Sequence, residues 1–437
     1  MMKPTASETL YERACQVLPG GVSRNTVFRT PHPFYADKAS GCRVTDLEGV
    51  ERIDFSNNMA ALIHGHAHPA IVTAVSNQLH RGSAFTMATE AEVSFAEHLC
   101  NRSQAFDKIR FMNSGTEAVM AGLKAARAFT GRSKIAKVEG AYHGAYDYAE
   151  ISQTASPANW GPPEQPSRVP VAIGTPQGVL DDVIVIPFND RDTAVAILNR
   201  HAGEIAAILL DPMPHRVGLI PAERDFVHAL RSWSDVNDAV FLFDEVITFR
   251  STYEGAQAWF DVQPDLTALG KVIGGGFPVG ALAGRDEIMR VFDPRQDEVP
   301  LPHSGTFSAN PITMTAGRVA MELFDQAAVE RLNALGDHAR QAIREAIAEV
   351  GVGACVTGGG SLLRIHLKPE SPTNYRSAYM SADEASRVKF LVDHLSDHGI
   401  MLINTCTAAL STAMTEAEIN TLVGALRTGL IQLRGHI

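Results

Sequence analysis

Through the middle of the chain, short apolar runs alternate with stretches in which apolar residues recur every three or four positions. The runs fall at 108–112, 134–138, 183–188, 205–210, 239–244, 266–270 and 279–284. Most are too short for helices and lack a regular polar alternation, as strands buried on both faces do. Helical spacing fills 117–129, closed by Gly131, and recurs at 193–201 and 224–233. Strands separated by helices predict an α/β fold with a mainly parallel sheet, whose ligands gather at the carboxyl ends of the strands.

After Pro311 the pattern changes. Two helical segments, to about 325 and from about 328 to 350, precede an apolar run at 361–367, a helix near 383–398, a run at 401–404 and a last helix from about 416. This predicts a smaller α+β lobe, joined by an N-terminal segment in which "RVTD" and "RIDF" form a hairpin. The expected division is 1–57 for the N-terminal part of the small lobe, 58–325 for a large domain, and 326–437 for the C-terminal small domain. A chain of 437 residues exceeds the size at which single cores stop growing. Thr5 and Glu8 have capping-box spacing after a short N-terminal tail. Residues 152–180, rich in Pro, Gly, Ser and Gln, read as a lid or a linker.

Composition narrows the classes. Hydrophobic residues are 45% and charged residues 20%, an ordinary globular balance. The net charge of -11 argues against nucleic acid or an anionic membrane as partner. No stretch reaches the ~18 continuous apolar residues of a membrane span. Five scattered cysteines without C-x-x-C spacing fit reduced thiols and a cytoplasmic setting.

Four predicted strand ends carry chemistry. "NSGTEA" places Asn113, Ser114, Gly115 and Thr116 between a strand and a helix, as either a phosphate cradle or a capped turn. "YHG" puts Tyr142 and His143 beyond the next strand, where the ring either stacks on a planar ligand or is an ordinary aromatic. Asp244 and Glu245 end a buried strand facing opposite sides, so one can face a ligand while the other pairs elsewhere. In "LTALGKVIGGGFPVGA", Lys271 leaves a core strand for Gly274–Gly276. A lysine in a dry site has a lowered pKa and forms Schiff bases; the alternative is a snorkelling lysine at a turn. His64, His66 and His68 have ligand spacing but no carboxylate or thiol nearby in sequence, so no metal is expected.

A phosphate cradle, a stacking aromatic, an acid and a Schiff-base lysine together suit pyridoxal 5'-phosphate (PLP). With these motifs, and with "LPGGVSR", "GHAHPAI" and "HSGTFSANP", the chain resembles the class III aminotransferases of PLP fold type I. Within them it resembles the branch of glutamate-1-semialdehyde aminomutase and the β-amino acid aminotransferases. The resemblance implies a homodimer with a shared active site. It implies that Lys271 holds the cofactor and moves the substrate proton, and that Asp244 keeps the ring nitrogen protonated. Val246 and Tyr142 would enclose the ring, with His143 beside it. Ser114, Gly115 and Thr116 would bind phosphate, and Thr306 would reach the neighbouring subunit's phosphate. Asp211 stands where the family more often has glutamate.

The expected reaction is ping-pong transfer of an amino group from an amino acid to a keto acid. The alternatives are glutamate-1-semialdehyde 2,1-aminomutase and ω-amine transaminase. A nucleotide-binding reading lacks both G-x-x-x-x-G-K-[ST] and G-x-G-x-x-G after the first strand. "YHGAYDYAEIS" has Ala145 in place of the aminomutases' second histidine, and "PGGVSRNTVF" departs from their N-terminal signature. Arg24 matches the carboxylate-binding arginine of the β-amino acid aminotransferases. The C-terminal arginine of some relatives is missing, with Thr405 or Thr407 in its segment. An aromatic or apolar substrate, with its amino group at the β or α position, is expected, and Phe28, Met59, Tyr142 and Tyr148 are candidates for its pocket.

Overall fold

A computed structural model describes residues 5–434; the short N-terminal tail lies outside them. The described residues form fourteen strands: β1 (Ala36–Ser40), β2 (Arg43–Asp46), β3 (Glu51–Asp54), β4 (Lys108–Met112), β5 (Lys134–Val138), β6 (Val183–Ile186), β7 (Ile205–Leu210), β8 (Val240–Asp244), β9 (Leu266–Gly270), β10 (Gly280–Gly284), β11 (Cys355–Thr357), β12 (Leu362–His366), β13 (Ile400–Met401) and β14 (Thr407–Ala409). Seven make one sheet in the order β4-β10-β9-β8-β7-β5-β6. β6, β5, β7, β8 and β9 run parallel, and β10 is antiparallel to both neighbours. A helical crossover between parallel strands needs a dozen or more residues. The connection 271–279 is too short for one, so β10 returns beside β9 in the opposite direction.

The helix Gly115–Thr130 shows why the central layer forms. Ser114 caps it by accepting from the Glu117 N–H, and Gly131 ends it at φ 70°. Its face of Ala118, Val119, Leu123 and Ala126 is buried with Leu242, Leu266 and Leu282 of the sheet. Burying a leucine side chain contributes about 1.5–3 kcal/mol, so such a face anchors the helix. At the other end of β10, Gly280 lies against the turn after β4; a Cβ there would meet the Ser114 carbonyl oxygen at 1.9 Å.

β1, β2 and β3 form an antiparallel meander, with the expected hairpin between β2 and β3. β13 extends it by pairing parallel to β3, Ile400 beside Ile53 and Met401 beside Asp54. The N-terminal and C-terminal segments thus share one sheet. β11, β12 and β14 form a third. The first helix, Ala6–Val17, carries the Thr5–Glu8 capping box.

The run at 401–404 is shorter as a strand than its apolar pattern suggests, because β13 ends at Met401. Residues 152–180 contain no strand, yet they are tied down. Ser152 Oγ donates to the Ser167 carbonyl (2.6 Å) and accepts from the Val169 N–H (2.9 Å). The Tyr375 hydroxyl donates to the Ala155 carbonyl at 2.6 Å. A free linker has no such ties. Among the described residues no helix is long and apolar enough to cross a membrane.

Candidate active site

The carboxyl ends of β4, β5, β7, β8 and β9 open into one cavity of about 360 Å³. Its wall brings together Arg24, Ser114, Gly115, Thr116, Tyr142, His143, Asp211, Asp244, Val246 and Lys271. At the N-terminus of the helix Gly115–Thr130, the Ser114 side chain satisfies the Glu117 N–H. The N–H groups of Gly115 and Thr116 have no intrahelical acceptor, and the helix dipole favours an anion beside them. Val246 lies within contact of this turn: a Cβ on Gly115 would meet its Cγ1 at 2.9 Å.

Asp244 ends β8 and is buried. Its Oδ1 accepts from the Val246 N–H (3.1 Å), and its Oδ2 pairs with His143 Nδ1 (2.8 Å). Burial lowers the pKa of His143 despite that carboxylate. The neutral ring therefore donates from Nδ1, leaving buried Nε2 as an acceptor without a protein partner. Glu245 faces the other way. Its oxygens accept from the N–H groups of Ala256 (2.6 Å) and Gln257 (3.0 Å), and burial pushes its pKa up to about 8.

Lys271 follows β9 with φ 46°, a left-handed conformation that a lysine adopts at a cost. Its ammonium has no protein hydrogen-bond partner among the described residues. Desolvation lowers its pKa, opposed by Asp244 and Asp211. Asp211 is raised well above the usual carboxylate range by burial and then by Asp244, although its Oδ1 accepts from the Met213 N–H at 2.9 Å. The turn after Lys271 uses positive φ at Gly275 (58°) and Gly276 (98°).

The family model for class-III aminotransferases matches residues 26–426. The chain belongs to the class III aminotransferases. It is 39% identical over 376 residues to a glutamate-1-semialdehyde 2,1-aminomutase of Methanothermobacter thermautotrophicus, covering 86% of this chain and 87% of that one. It superposes on an omega-transaminase from Sphaerobacter thermophilus with a TM-score of 0.96 at 46% identity, covering 98% of each chain. A beta-phenylalanine aminotransferase from Variovorax paradoxus gives 0.88 at 33% identity, covering 99% of this chain and 95% of that one.

The cofactor of a class III aminotransferase is PLP, and the cavity fits it. A helix N-terminus awaits an anion, buried His143 Nε2 lacks a partner, and a desolvated lysine stands free of hydrogen bonds. Other residues singled out in the sequence lie elsewhere. Thr306 is exposed in a loop with Phe307 and does not line this cavity. Tyr148 packs on Tyr146, with the Arg127 guanidinium 3.9 Å from its ring centroid, so it is no pocket residue in this chain. Phe28 and Met59 also lie off the wall, while Tyr142 is on it. The Thr405 and Thr407 hydroxyls bond each other (2.9 Å), and Thr405 meets His215 Nε2. Two of the three histidines have separate partners, His64 meeting Thr412 and the Ala320 carbonyl and His66 meeting Asp54, while His68 Nδ1 is buried without one.

Three residues near the class III site were not anticipated. Asn58 lines the cavity and accepts from Arg24 Nη1 at 2.9 Å. Arg216 sits over Tyr142, 5.5 Å from the ring centroid. Lys137, fully buried in β5, donates to the carbonyls of Val138, Ala141 and Ile151 around the Tyr142–His143 segment. Its place in "KIAKV", between apolar residues, was the one available signal.

Proposed function

We propose that the protein transfers an amino group from a carboxylate-bearing amine to a keto acid by a ping-pong reaction. The donor is an aromatic or apolar amino acid with its amino group at the β or α position. The observation that carries this is Arg24, an arginine without an ion-pair partner among the described residues, on the wall of the cavity that holds Lys271. Its planar fork suits a carboxylate. Tyr142, Ile247, Phe277, Pro278 and Val279 supply an apolar lining. The likeness to a beta-phenylalanine aminotransferase supports the same donor class.

PLP supplies an electrophilic aldehyde and an electron-withdrawing ring. Lys271, desolvated and without a hydrogen-bond partner among the described residues, would hold that aldehyde, and its amine is placed to move the proton of the substrate's amine-bearing carbon. Asp244, oriented by His143 Nδ1, would keep a proton on the ring nitrogen. The N–H groups at Gly115 and Thr116 would hold the phosphate, with Val246 and Tyr142 of the same cavity wall beside the ring. The proposal includes a homodimer in which Thr306 reaches the partner's site, supported by the exposure of its loop, where Phe307 is 59% exposed.

The second reading, an aminomutase on glutamate-1-semialdehyde, is favoured by the names of the curated relatives. Ala145 and the tyrosine-rich stretch after it weigh against it. A donor screen decides. α-Amino acids, β-amino acids and plain amines are each offered to the holoenzyme with pyruvate or 2-oxoglutarate. Turnover of aromatic or apolar amino acids supports the proposal. Efficient conversion of glutamate-1-semialdehyde to 5-aminolevulinate, without turnover of those donors, replaces it with the aminomutase.

A further inference from the structure

Residues Asn57, Asn58, Met59 and Ala60 have φ of 45°, 49°, 57° and 67°. They make a left-handed turn of four consecutive residues, none of them glycine. L-residues visit this region singly, because the Cβ crowds the following carbonyl oxygen. Strain of this kind persists only where surrounding structure over-determines it, and it collects at functional sites.

The surroundings do over-determine it. Asp54 Oδ1 accepts from the N–H groups of Ser56 (2.8 Å) and Asn57 (2.9 Å) at the turn's entry. Asn57 Nδ2 donates to the Ala409 carbonyl at 2.7 Å, and Arg250 Nη1 donates to the Ala60 carbonyl at 3.3 Å. The N–H groups of Ala61 and Leu62 both return to the Asn57 carbonyl, at 2.9 and 3.0 Å. Asn57 and Ala60 are thereby buried, while Asn58 is turned out onto the cavity wall.

There Asn58 Oδ1 accepts from Arg24 Nη1 at 2.9 Å. The Arg24 side chain makes no other hydrogen bond or ion pair among the described residues. An amide oxygen can hold the guanidinium without neutralising it. One Nη is occupied, and the Nε–Nη2 edge stays free for two parallel bonds to a carboxylate. An aspartate here would compete with the ligand for the same charge, and an alanine would leave a long, rotamer-rich side chain unrestrained.

We propose that Asn58 is a positioning residue for Arg24, and that the left-handed turn serves to hold it against the guanidinium so that the pair selects substrates carrying a carboxylate. The proposal rests on the reading of Arg24 as the carboxylate-binding group. Its consequence is a preference for acids over otherwise matched amines that depends on two residues, only one of them charged.

The test uses holoenzyme and three probes: 3-amino-3-phenylpropanoate, its matched amine 1-phenylpropan-1-amine, and the unreactive acid 3-phenylpropanoate. Asn58→Ala is expected to raise KM for the amino acid relative to the amine by about tenfold, the worth of one charge-assisted hydrogen bond, with a smaller change in kcat. Calorimetry should show a similar loss in affinity for 3-phenylpropanoate. Asn58→Gly should lose as much acid preference as Asn58→Ala but melt at a higher temperature, because glycine enters the left-handed region freely. It also serves where the alanine variant does not fold. An unchanged acid-to-amine KM ratio in both Asn58 variants, with a raised ratio in Arg24→Ala, overturns the role of Asn58 alone. An unchanged ratio in Arg24→Ala overturns the carboxylate reading, and this proposal with it.

Discussion

Lys137 and Lys271 belong to the same sheet region, and burial lowers the pKa of both. Their surroundings differ. Lys137 Nζ donates to three backbone carbonyls, at 2.7, 3.1 and 3.3 Å, which saturates an ammonium. Lys271 Nζ donates to none among the described residues and has the buried carboxylates Asp244 and Asp211 in its field. Arg250 follows the first pattern, with bonds to the Ala60 and Leu410 carbonyls and to Ser361 Oγ. Burial alone therefore does not mark a reactive base. A buried cation with every proton engaged holds backbone in place, whereas one with none engaged is available to a ligand.

The largest test separates the two lysines directly. Borohydride reduction of the holoenzyme followed by peptide mapping should place the pyridoxyl group on Lys271, and Lys271→Ala should lower turnover by about 10⁴-fold or more. A label on Lys137 would reverse the comparison. Next comes Asp244→Asn, expected to lower kcat by about 10²–10³-fold while the protein still binds PLP, because an amide cannot hold a proton on the ring nitrogen as a carboxylate does. Near wild-type turnover would remove Asp244 from that role.

Lys137→Met should act on stability instead. It leaves the Ala141 and Ile151 carbonyls without a donor, while Val138 keeps the Ala141 N–H, a cost of about 2–3 kcal/mol. A drop in the urea midpoint at constant m-value measures this, and an unchanged midpoint would mean the carbonyls find other partners. The last test concerns Glu245, whose pKa rises from 4.5 to about 8 on folding. The folded state then binds more protons than the unfolded state across that window, so this group makes stability fall as pH rises from 4.5 to 8. Denaturant titrations at intervals across the window should show a flatter profile for Glu245→Gln; an identical slope would mean that Glu245 is charged in the fold.

Much of the fold could be read from the chain, because strands buried on both faces leave uninterrupted apolar runs that local sequence records. The direction of β10 was also written there, in the shortness of 271–279, but an apolar run carries no arrow. The strand-end rule led to Lys271, Asp244, the turn at 113–116 and the Tyr142–His143 segment. Asn58 escaped it. Its left-handed conformation depends on Asp54 nearby but also on Ala409 and Arg250, residues remote in sequence. Arg216 was hidden in the same way, since only the fold carries it over Tyr142. Lys137 sits in a strand where one lysine among apolar residues looks like a solvent-facing position. Only the path of the following segment shows its Nζ surrounded by carbonyls.

The reversed strand β10 has a consequence for the order of events in synthesis. β4, with the anion-binding turn behind it, has β10 as its sheet neighbour, and β10 in turn holds β9 and the lysine turn. Until the segment 280–284 has left the ribosome, the two halves of the cavity have no strand between them, although both were made earlier. That strand is small in side chains, Gly-Ala-Leu-Ala-Gly, so it fits between the edges of β4 and β9. A nascent chain ending before residue 280 carries the lysine and the helix N-terminus but lacks the strand that joins β4 to β9.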